Sequence, residues 1–254
     1  MAFIEIKNIS KTFHSDTDEA YHALKEVNLE INTGDFITIV GGNGAGKSTF
    51  LNALAGSFQI DKGSIFIDGQ NITNTKEYER AKYISRIYQN PLDGTAPRMT
   101  VAENMAIAIK RGEKRGFSSG IKKEDLKNFE EQLKSLNLGL ENRLNTEIGL
   151  LSGGQRQAIS LLMATIKRPE LILLDEHTAA LDPKTQKNIM KLTEEIIKGK
   201  KLTAFMITHN LQDALQYGNR MIVMHRGQIV KDFSKVEKDN LTTTKLYEIL
   251  SELE

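Results

Sequence analysis

The chain has 254 residues, which is enough for one large domain or two small ones with a sizeable core. Its 34 Lys and Arg against 33 Asp and Glu give a net charge of +1, which argues against the strongly basic face that nucleic-acid binding usually needs. No run approaches the ~18 apolar residues that cross a bilayer, so we expect no membrane-spanning segment. The absence of cysteine excludes disulfides, thiolate zinc sites and cysteine nucleophiles, and it suits a cytoplasmic protein.

Short alternating runs of apolar and polar residues predict several strands in the first 72 residues. These strands are expected at residues 4–6, 27–31, 36–40 and 64–69. One helix is predicted between Ser48 and Ala55, with Gly56 placed to terminate it. The first residues alternate like a strand and carry no basic-then-apolar pattern, so we expect no signal peptide.

The pattern changes between residues 101 and 140, where apolar residues recur at intervals of three and four among charged ones. The recurring residues are Leu126, Phe129, Leu133 and Leu136. This spacing predicts an amphipathic helix. The preceding residues 110–123 are rich in Gly, Ser, Lys and Arg, and we interpret them as a solvated, mobile loop rather than as a phosphate- or lipid-binding patch.

Strands and helices alternate again from Leu171. The predicted elements are a strand at 171–174, a helix through Ile189, Leu192 and Ile196, a strand at 203–207, and a hairpin over 221–233 that turns at Arg226 and Gly227. Continuous apolar strands separated by helices indicate a parallel sheet covered on both faces. The sequence therefore predicts one α/β unit with a helical insertion.

A glycine-rich segment follows the apolar strand at 36–40 and opens the predicted helix. It consists of Gly41, Gly42, Asn43, Gly44, Ala45, Gly46, Lys47, Ser48 and Thr49. This is the pattern G-x-x-x-x-G-K-[ST] in the strand-and-helix context that gives it meaning. Glycines let successive backbone N–H groups point at phosphate oxygens, and the helix N-terminus favours negative charge. Lys47 is then suited to contact the β- and γ-phosphates of a nucleotide, and the Ser48 hydroxyl is suited to ligate Mg²⁺.

Two carboxylates follow the apolar run at 171–174. Asp175 and Glu176 are predicted to emerge at the carboxyl end of a buried strand, where α/β folds place their ligands. Asp175 is suited to hold Mg²⁺ through water, and Glu176 is suited to polarise a water molecule that attacks the γ-phosphate. An apolar run that ends in Asp-Glu is by itself equally consistent with an ordinary strand end. The phosphate-binding pattern elsewhere in the chain favours the catalytic interpretation.

A third segment narrows the class of protein. It reads Leu151, Ser152, Gly153, Gly154 and Gln155, and an apolar helix with Ala158, Ile159, Leu161 and Leu162 follows it. At this point the sequence resembles the ATP-binding-cassette (ABC) ATPases, whose signature is LSGGQ. The resemblance implies a dimer in which each ATP lies between the phosphate loop of one subunit and the signature of the other.

Other landmarks of this family occur in order along essentially the whole chain. Gln89 matches the glutamine loop, which contacts Mg²⁺ or water, and Asp182 matches the D-loop, which reaches the dimer partner. His209 matches the switch histidine that contacts the γ-phosphate. Phe13 stands where the family stacks an aromatic ring on adenine, and Tyr21 is a nearby rival for that role.

The resemblance implies an α/β P-loop NTPase fold of the ABC type, with a mainly parallel core sheet flanked by helices. It also implies an N-terminal antiparallel β-subdomain and an α-helical subdomain. We expect a single ABC ATPase domain over residues 1–254, in which 1–89 and 150–254 form the core and the β-subdomain, and 90–149 form the mainly helical subdomain. ATP and Mg²⁺ are the implied cofactors. The implied catalytic residues are Lys47, Gln89, Glu176 and His209, and the implied metal-binding residues are Ser48, Gln89 and Asp175.

The function that the resemblance implies is ATP hydrolysis that powers a separate membrane permease from the cytoplasmic face of the membrane. An importer of a small solute such as an amino acid fits best. The implied partners are a second copy of the chain when ATP is bound, permease subunits and a substrate-binding lipoprotein, and no nucleic-acid partner is expected. Residues 88–91, 94–97, 160–165 and 175–183 resemble an importer-type group, some members of which are linked to aromatic amino acids.

The alternative is a non-transport ABC ATPase acting on nucleic acid, the ribosome or protein assembly. The single cassette and the lack of a long insertion between Gln89 and Leu151 disfavour it. A kinase or GTPase would leave the LSGGQ segment unexplained.

The sequence departs from the family pattern directly after Glu176. The family usually has proline at the next position, and this chain has His177. Proline would fix its own φ and would lack a backbone N–H. His177 is therefore either tolerated in the turn without a role, or it alters the turn and adds a titratable group near the site. Ala179 stands where serine is common, which is a milder change.

Overall fold

The computed structural model describes residues 3–15, 19–113 and 120–253. Its strands are β1 (Ile4–Phe13), β2 (Tyr21–Ile31), β3 (Phe36–Val40), β4 (Lys62–Ile67), β5 (Gln70–Asn71), β6 (Ile84–Ile87), β7 (Leu171–Asp175), β8 (Thr203–Ile207), β9 (Arg220–His225) and β10 (Gln228–Phe233). Its helices are α1 (Lys47–Ala55), α2 (Glu77–Arg80), α3 (Val101–Ile109), α4 (Lys123–Lys134), α5 (Gly153–Ile166), α6 (Pro183–Lys200), α7 (Leu211–Gln216), α8 (Lys235–Asp239) and α9 (Thr243–Ser251). Short 3-10 turns lie at Leu140–Arg143 and Ile148–Leu150.

The chain divides into two compact units. The first comprises Met1–Arg80 and Lys201–Glu254, and the second comprises Ala81–Lys200. The chain therefore leaves the first unit after α2 and returns to it just before β8. Within the described part of both units, no helix is long and apolar enough to cross a membrane.

The first unit contains an antiparallel sheet with the strand order β2-β1-β4-β5. Ile4 of β1 lies opposite Ile31 of β2 and Ile67 of β4. All three isoleucines are buried, and they alternate with more exposed residues, as expected for a sheet with one face in a core. The N-terminal antiparallel sheet predicted by the family resemblance is thus confirmed.

The same unit contains four further strands in the order β10-β9-β3-β8. β3 runs parallel to both β8 and β9, whereas β9 and β10 form the predicted antiparallel hairpin. Every residue of β3 and β8 is buried, because parallel strands of this kind have both faces covered. Phe50 of α1 supplies part of that cover by packing edge-on against Phe205 of β8, with ring centroids 5.5 Å apart.

The limits of α1 follow from its sequence. The helix begins at Lys47, one residue before the predicted start, and ends at Ala55. The next residue, Gly56, has a φ of 81°, a left-handed conformation that favours glycine. Arg80 of α2 donates hydrogen bonds to the carbonyl oxygens of Ala53 (2.7 Å) and Leu54 (2.8 Å), which the helix itself leaves unpaired. Burial lowers the pKa of Arg80.

The second unit pairs β6 and β7 in parallel and packs α3, α4 and α5 around a common apolar core. The predicted amphipathic helix is α4, and its Phe129 and Leu133 are completely buried. The apolar residues predicted for the helix after LSGGQ are buried in α5. The mainly parallel strands and the helical region together confirm the predicted fold class.

The predicted loop at 110–123 is described only in part, because residues 114–119 lie outside the described residues. Before that gap, Arg111 donates to the carbonyl oxygens of Ala164 (3.2 Å) and Lys167 (2.6 Å) at the end of α5. The start of this segment is therefore attached to the helical core, and the mobility of the remainder stays a prediction.

Candidate functional site

The glycine-rich segment predicted to bind phosphate connects the buried strand β3 to the start of α1. A side chain at Gly41 would place its Cβ 2.1 Å from the carbonyl oxygen of Met224. A side chain at Gly46, where φ is 98°, would lie 2.6 Å from the carbonyl oxygen of Ala23. Both positions need glycine, because backbone from other strands approaches the loop too closely for any other residue.

Internal hydrogen bonds hold this loop in shape. Lys47 is 6% exposed, and its Nζ donates to the carbonyl oxygens of Gly41 (2.8 Å) and Gly42 (2.9 Å). The Ala45 carbonyl accepts a hydrogen bond of 3.0 Å from the backbone N–H of Gly227, in the turn of the β9–β10 hairpin. The lysine ammonium and the loop backbone are therefore positioned by the fold itself, with Ser48 and Thr49 following in the first turn of α1.

Tyr21 gives the loop a further attachment that the sequence did not reveal. Its hydroxyl donates to the carbonyl oxygen of Gly44 at 2.7 Å, and 48% of its surface is exposed. Gly42 and Asn43, the neighbouring residues of the loop, are exposed as well. Spacing offered no signal for this contact, because Tyr21 lies on a different strand.

Phe13, the predicted adenine-stacking residue, lies directly opposite Tyr21 in the β1–β2 pairing. Its ring is half-buried and packs edge-on against Phe58, with centroids 5.2 Å apart, and the Lys11 ammonium lies 5.5 Å from the Phe13 ring centre. Phe13 and Tyr21 are therefore neighbours across the two strands. Adenine stacking on Phe13 stays a prediction, and Tyr21 stays its rival.

His209 belongs to the same unit as the loop and follows β8 by two residues. Its side chain is exposed. The next residue, Asn210, caps α7 by accepting hydrogen bonds from the backbone N–H groups of Gln212 and Asp213. His209 is thus held between a buried strand and a capped helix, as a residue at the carboxyl end of a parallel strand should be.

Asp175 and Glu176 lie in the second unit, at the predicted place. Asp175 is the last residue of β7, and Glu176 follows it with a φ of 47°, a left-handed conformation that costs a non-glycine residue free energy. Arg86 of β6 donates to Asp175 through Nη2 and Oδ2 at 2.7 Å, and both side chains are about 85% buried. This partly desolvated ion pair orients the Asp175 carboxylate.

Gln89 comes two residues after β6 and is exposed. The adjacent Tyr88 lies under the Arg86 guanidinium, with 4.7 Å between that group and the ring centre. Arg86 therefore contacts both the carboxylate predicted to hold Mg²⁺ and the residue that precedes Gln89. Arg86 was not predictable from the sequence, because a charged residue in a strand carries no pattern that identifies its partner.

His177, which replaces the expected proline, is only 2% exposed. Its Nε2 lies 3.0 Å from Oγ1 of Thr193 in α6, and burial lowers the pKa of His177 from 6.5 to about 4. The ring is therefore neutral at physiological pH. Its burial also shows that it does not present a charged group to solvent beside Glu176.

The LSGGQ segment forms the N-terminus of α5. Ser152 is the N-cap, and its hydroxyl accepts a hydrogen bond from the backbone N–H of Gln155. In return, the side-chain oxygen of Gln155 accepts one from the Ser152 backbone N–H. Leu151 is buried and Ser152 is exposed, so the segment presents its serine to solvent. Gly153 and Gly154 form the first turn of α5.

The signature and Asp182 are brought together by Thr185 of α6. A side chain at Gly154 would have its Cβ 2.3 Å from Cγ2 of Thr185. The Asp182 carboxylate accepts a hydrogen bond from the Thr185 backbone N–H at 3.1 Å, and hydrogen bonds from Thr185 hold the pKa of Asp182 below its usual value. Asp182 is exposed, so its ionised carboxylate remains accessible.

Each unit thus gathers part of the predicted site. The first unit holds Phe13, the phosphate loop and His209, and the second holds Gln89, the signature, Asp175, Glu176 and Asp182. A glycine-rich loop that joins a buried parallel strand to a helix, with its lysine directed onto the loop, defines a P-loop nucleotide-binding protein.

Comparisons with known proteins identify the family. A protein-family model described as ABC transporter matches residues 24–179. The tyrosine transport ATP-binding protein of Clostridioides difficile (strain R20291) is 41% identical over 245 residues, which cover 96% of this chain and 97% of that protein.

Two cassettes of known structure share the fold. The ADP conformation of an ATP-binding cassette from an ABC transporter matches with a TM-score of 0.79 and 30% identity, covering 100% of both chains. A dimeric ATP-binding cassette in a post-hydrolysis state with ADP and Pi matches with a TM-score of 0.77 and 30% identity, covering 91% of this chain and 98% of that one. The chain belongs to the ABC transporter family, and it is the ATPase component of a transporter.

Proposed function

We propose that this chain binds Mg-ATP, hydrolyses it and thereby drives uptake of an amino acid through a separate membrane permease. The observation that carries the nucleotide part is the phosphate loop, whose shape and lysine are set by hydrogen bonds within the protein. The 41% identity to a tyrosine transport ATP-binding protein supports the transport part.

The loop residues fit the triphosphate of ATP. The positive φ values of Gly41, Gly44 and Gly46 curl the backbone in a way that suits enclosure of phosphate oxygens by N–H groups. Lys47 would exchange its carbonyl contacts for the β- and γ-phosphates, which are stronger partners for an ammonium group. Phe13 would provide the surface on which adenine stacks.

The proposed metal-binding residues fit Mg²⁺ by their chemistry. Ser48 offers a hydroxyl oxygen, Gln89 an amide oxygen and Asp175 a carboxylate that would bind through water, and Mg²⁺ prefers oxygen ligands with several retained waters. When bound, Mg²⁺ neutralises charge on the β- and γ-phosphates. The hydrogen bond from Arg86 orients the Asp175 carboxylate for this role.

Hydrolysis is assigned to water polarised by Glu176. The Glu176 carboxylate would accept a proton from the attacking water, while Lys47 and His209 would stabilise charge on the γ-phosphate oxygens. No covalent intermediate is needed, because positioning and charge stabilisation dominate phosphoryl transfer. Gln89 would contact the metal or the attacking water.

We assign the LSGGQ segment to the ATP held by a second copy of the chain. Ser152, at the exposed N-terminus of α5, would donate its hydroxyl proton to phosphate, and the helix dipole would favour the negative charge. The exposed Asp182 would contact the partner subunit. A homodimer would therefore form when ATP binds.

The assembled system would comprise two copies of this chain, permease subunits and a substrate-binding lipoprotein, without nucleic acid. The chain would lie at the cytoplasmic face of the membrane, held there by the permease. An aromatic amino acid such as tyrosine is the first substrate to test, because the similar protein of Clostridioides difficile is named for tyrosine transport.

The test compares Glu176→Gln with Glu170→Gln, a control that removes an exposed carboxylate just before β7. Glu176→Gln should lower ATP hydrolysis by about 100-fold or more, retain ATP binding and elute as a dimer when ATP is present. Glu170→Gln should behave like the unchanged chain. Hydrolysis by Glu176→Gln at the unchanged rate would refute the assignment of the base.

Transport is tested by uptake of radiolabelled tyrosine in the source cells. Cells that lack the chain should lose uptake, and the unchanged chain should restore it where Glu176→Gln does not. Normal tyrosine uptake without the chain would overturn this substrate, and normal uptake of every amino acid would overturn amino acids as the class of substrate.

A further inference from the structure

A buried hydrogen bond ties the residue after Glu176 to α6. His177 Nε2 lies 3.0 Å from Oγ1 of Thr193, and the two side chains are 2% and 0% exposed. The Thr193 hydroxyl donates its single proton to the Ile189 carbonyl oxygen at 2.8 Å. Its oxygen must therefore accept from His177, which assigns the proton of the neutral ring to Nε2.

This contact is the polar anchor of the His177 ring. The other ring nitrogen, Nδ1, is buried and has no hydrogen-bond partner among the described residues. Burial of an imidazole with a single partner is costly, so the orientation of the ring depends on the hydroxyl of Thr193. Proline at this position would have no side-chain group able to make the contact.

The anchored ring lies next to a strained residue. Glu176 has a left-handed backbone with φ 47°, and such a conformation persists when neighbouring structure holds it in place. Asp175 before it is fixed by Arg86, and the Glu176 carbonyl accepts a hydrogen bond of 3.0 Å from the Ala179 N–H. His177 supplies a further attachment, on the carboxyl side of Glu176.

We propose that His177 and Thr193 form a positioning pair that holds the turn in which Glu176 is aimed at the attacking water. The inference rests on the proposed role of Glu176 as the base. Both side chains are too deeply buried to contact substrate themselves. The pair acts by fixing the backbone, and the helix α6 serves as its rigid support.

Thr193→Val and Thr193→Ser form a matched test. Valine keeps the shape of threonine and removes the hydroxyl, whereas serine keeps the hydroxyl and removes a buried methyl group. Both variants should be less stable than the unchanged chain, because Thr193 is fully buried. A purely structural role would thus affect both variants alike.

Single-turnover hydrolysis at saturating Mg-ATP should be about tenfold slower in Thr193→Val and within about twofold of the unchanged chain in Thr193→Ser. The affinity for ATP should stay within about twofold in both. His177→Gln, whose side-chain amide can donate to Thr193, should retain most of the rate that His177→Ala loses. Equal rates for the valine and serine variants would overturn the positioning role.

Hydrogen exchange provides a readout that does not depend on activity. Amides of residues 176–182 should exchange about tenfold faster in Thr193→Val and at an unchanged rate in Thr193→Ser, measured without nucleotide. Unchanged exchange in Thr193→Val would refute the proposal even if Glu176→Gln abolishes hydrolysis. Failure of the unchanged chain to bind ATP would instead refute the proposed function.

Discussion

The buried His177 makes the stability of the folded chain depend on pH in the mildly acidic range. In the unfolded chain this histidine takes up a proton near its ordinary pKa of 6.5, whereas burial lowers the pKa in the folded chain to about 4. Between these values the unfolded state binds more protons than the folded state, so the free energy of unfolding falls as the pH falls. With these two pKa values, the loss between pH 7 and pH 5 is about 2 kcal/mol.

Urea denaturation at pH 7, 6 and 5 without nucleotide measures this loss, and His177→Gln is the control. The glutamine variant has no titrating group at this position, and every other histidine and carboxylate remains. The difference in unfolding free energy between the unchanged chain and the variant should therefore change by about 2 kcal/mol from pH 7 to pH 5. A difference that stays constant over this range would show that His177 is not buried in its neutral form.

Two further predictions concern substitutions of single side chains. Tyr21→Phe removes the hydroxyl that donates to Gly44, and calorimetry should show ATP binding weakened about fivefold, since a net hydrogen bond is worth ~1 kcal/mol. Equal affinity would mean that this contact does not support the phosphate loop. Phe129→Ala should lower the unfolding free energy by about 3–5 kcal/mol in denaturant titrations, because Phe129 is completely buried in the helical core. A loss below about 1 kcal/mol would contradict that packing.

Features with a local physical cause were predictable from the sequence. The apolar run of β3 became a fully buried strand, and Gly56 ended α1 because its left-handed backbone favours glycine. Asp175 and Glu176 lie at the end of β7 because four apolar residues place that strand in the core. The assignment of catalytic roles to these carboxylates remains a prediction.

Contacts between side chains that are distant in the sequence were not predictable. Arg86 and Asp175 are separated by 89 residues, and no periodic pattern connects a charged residue in one strand to a carboxylate at the end of another. The sequence showed that His177 departs from the family pattern, but only the fold shows Thr193 facing it across the turn. Such contacts are set by tertiary packing, which propensity and spacing do not encode.

One missed element did carry a local signal. The helix α8, which follows the β9–β10 hairpin directly, was not predicted. Ser234 and Glu237 form a reciprocal capping box at the start of α8, and the spacing S-x-x-E marks such a start. That spacing predicts the start of α8. The helix has only 5 residues, however, so apolar periodicity adds little support.

The turn of the β9–β10 hairpin has a consequence for biosynthesis. Gly227 donates to the Ala45 carbonyl of the phosphate loop and accepts a hydrogen bond from the Lys25 N–H, so one residue near the end of the chain braces two segments near its beginning. On the ribosome, this brace forms only after residue 227 has emerged from the exit tunnel. A nascent chain therefore cannot complete this bracing of its phosphate loop until the β9–β10 hairpin has been synthesised and released from the tunnel.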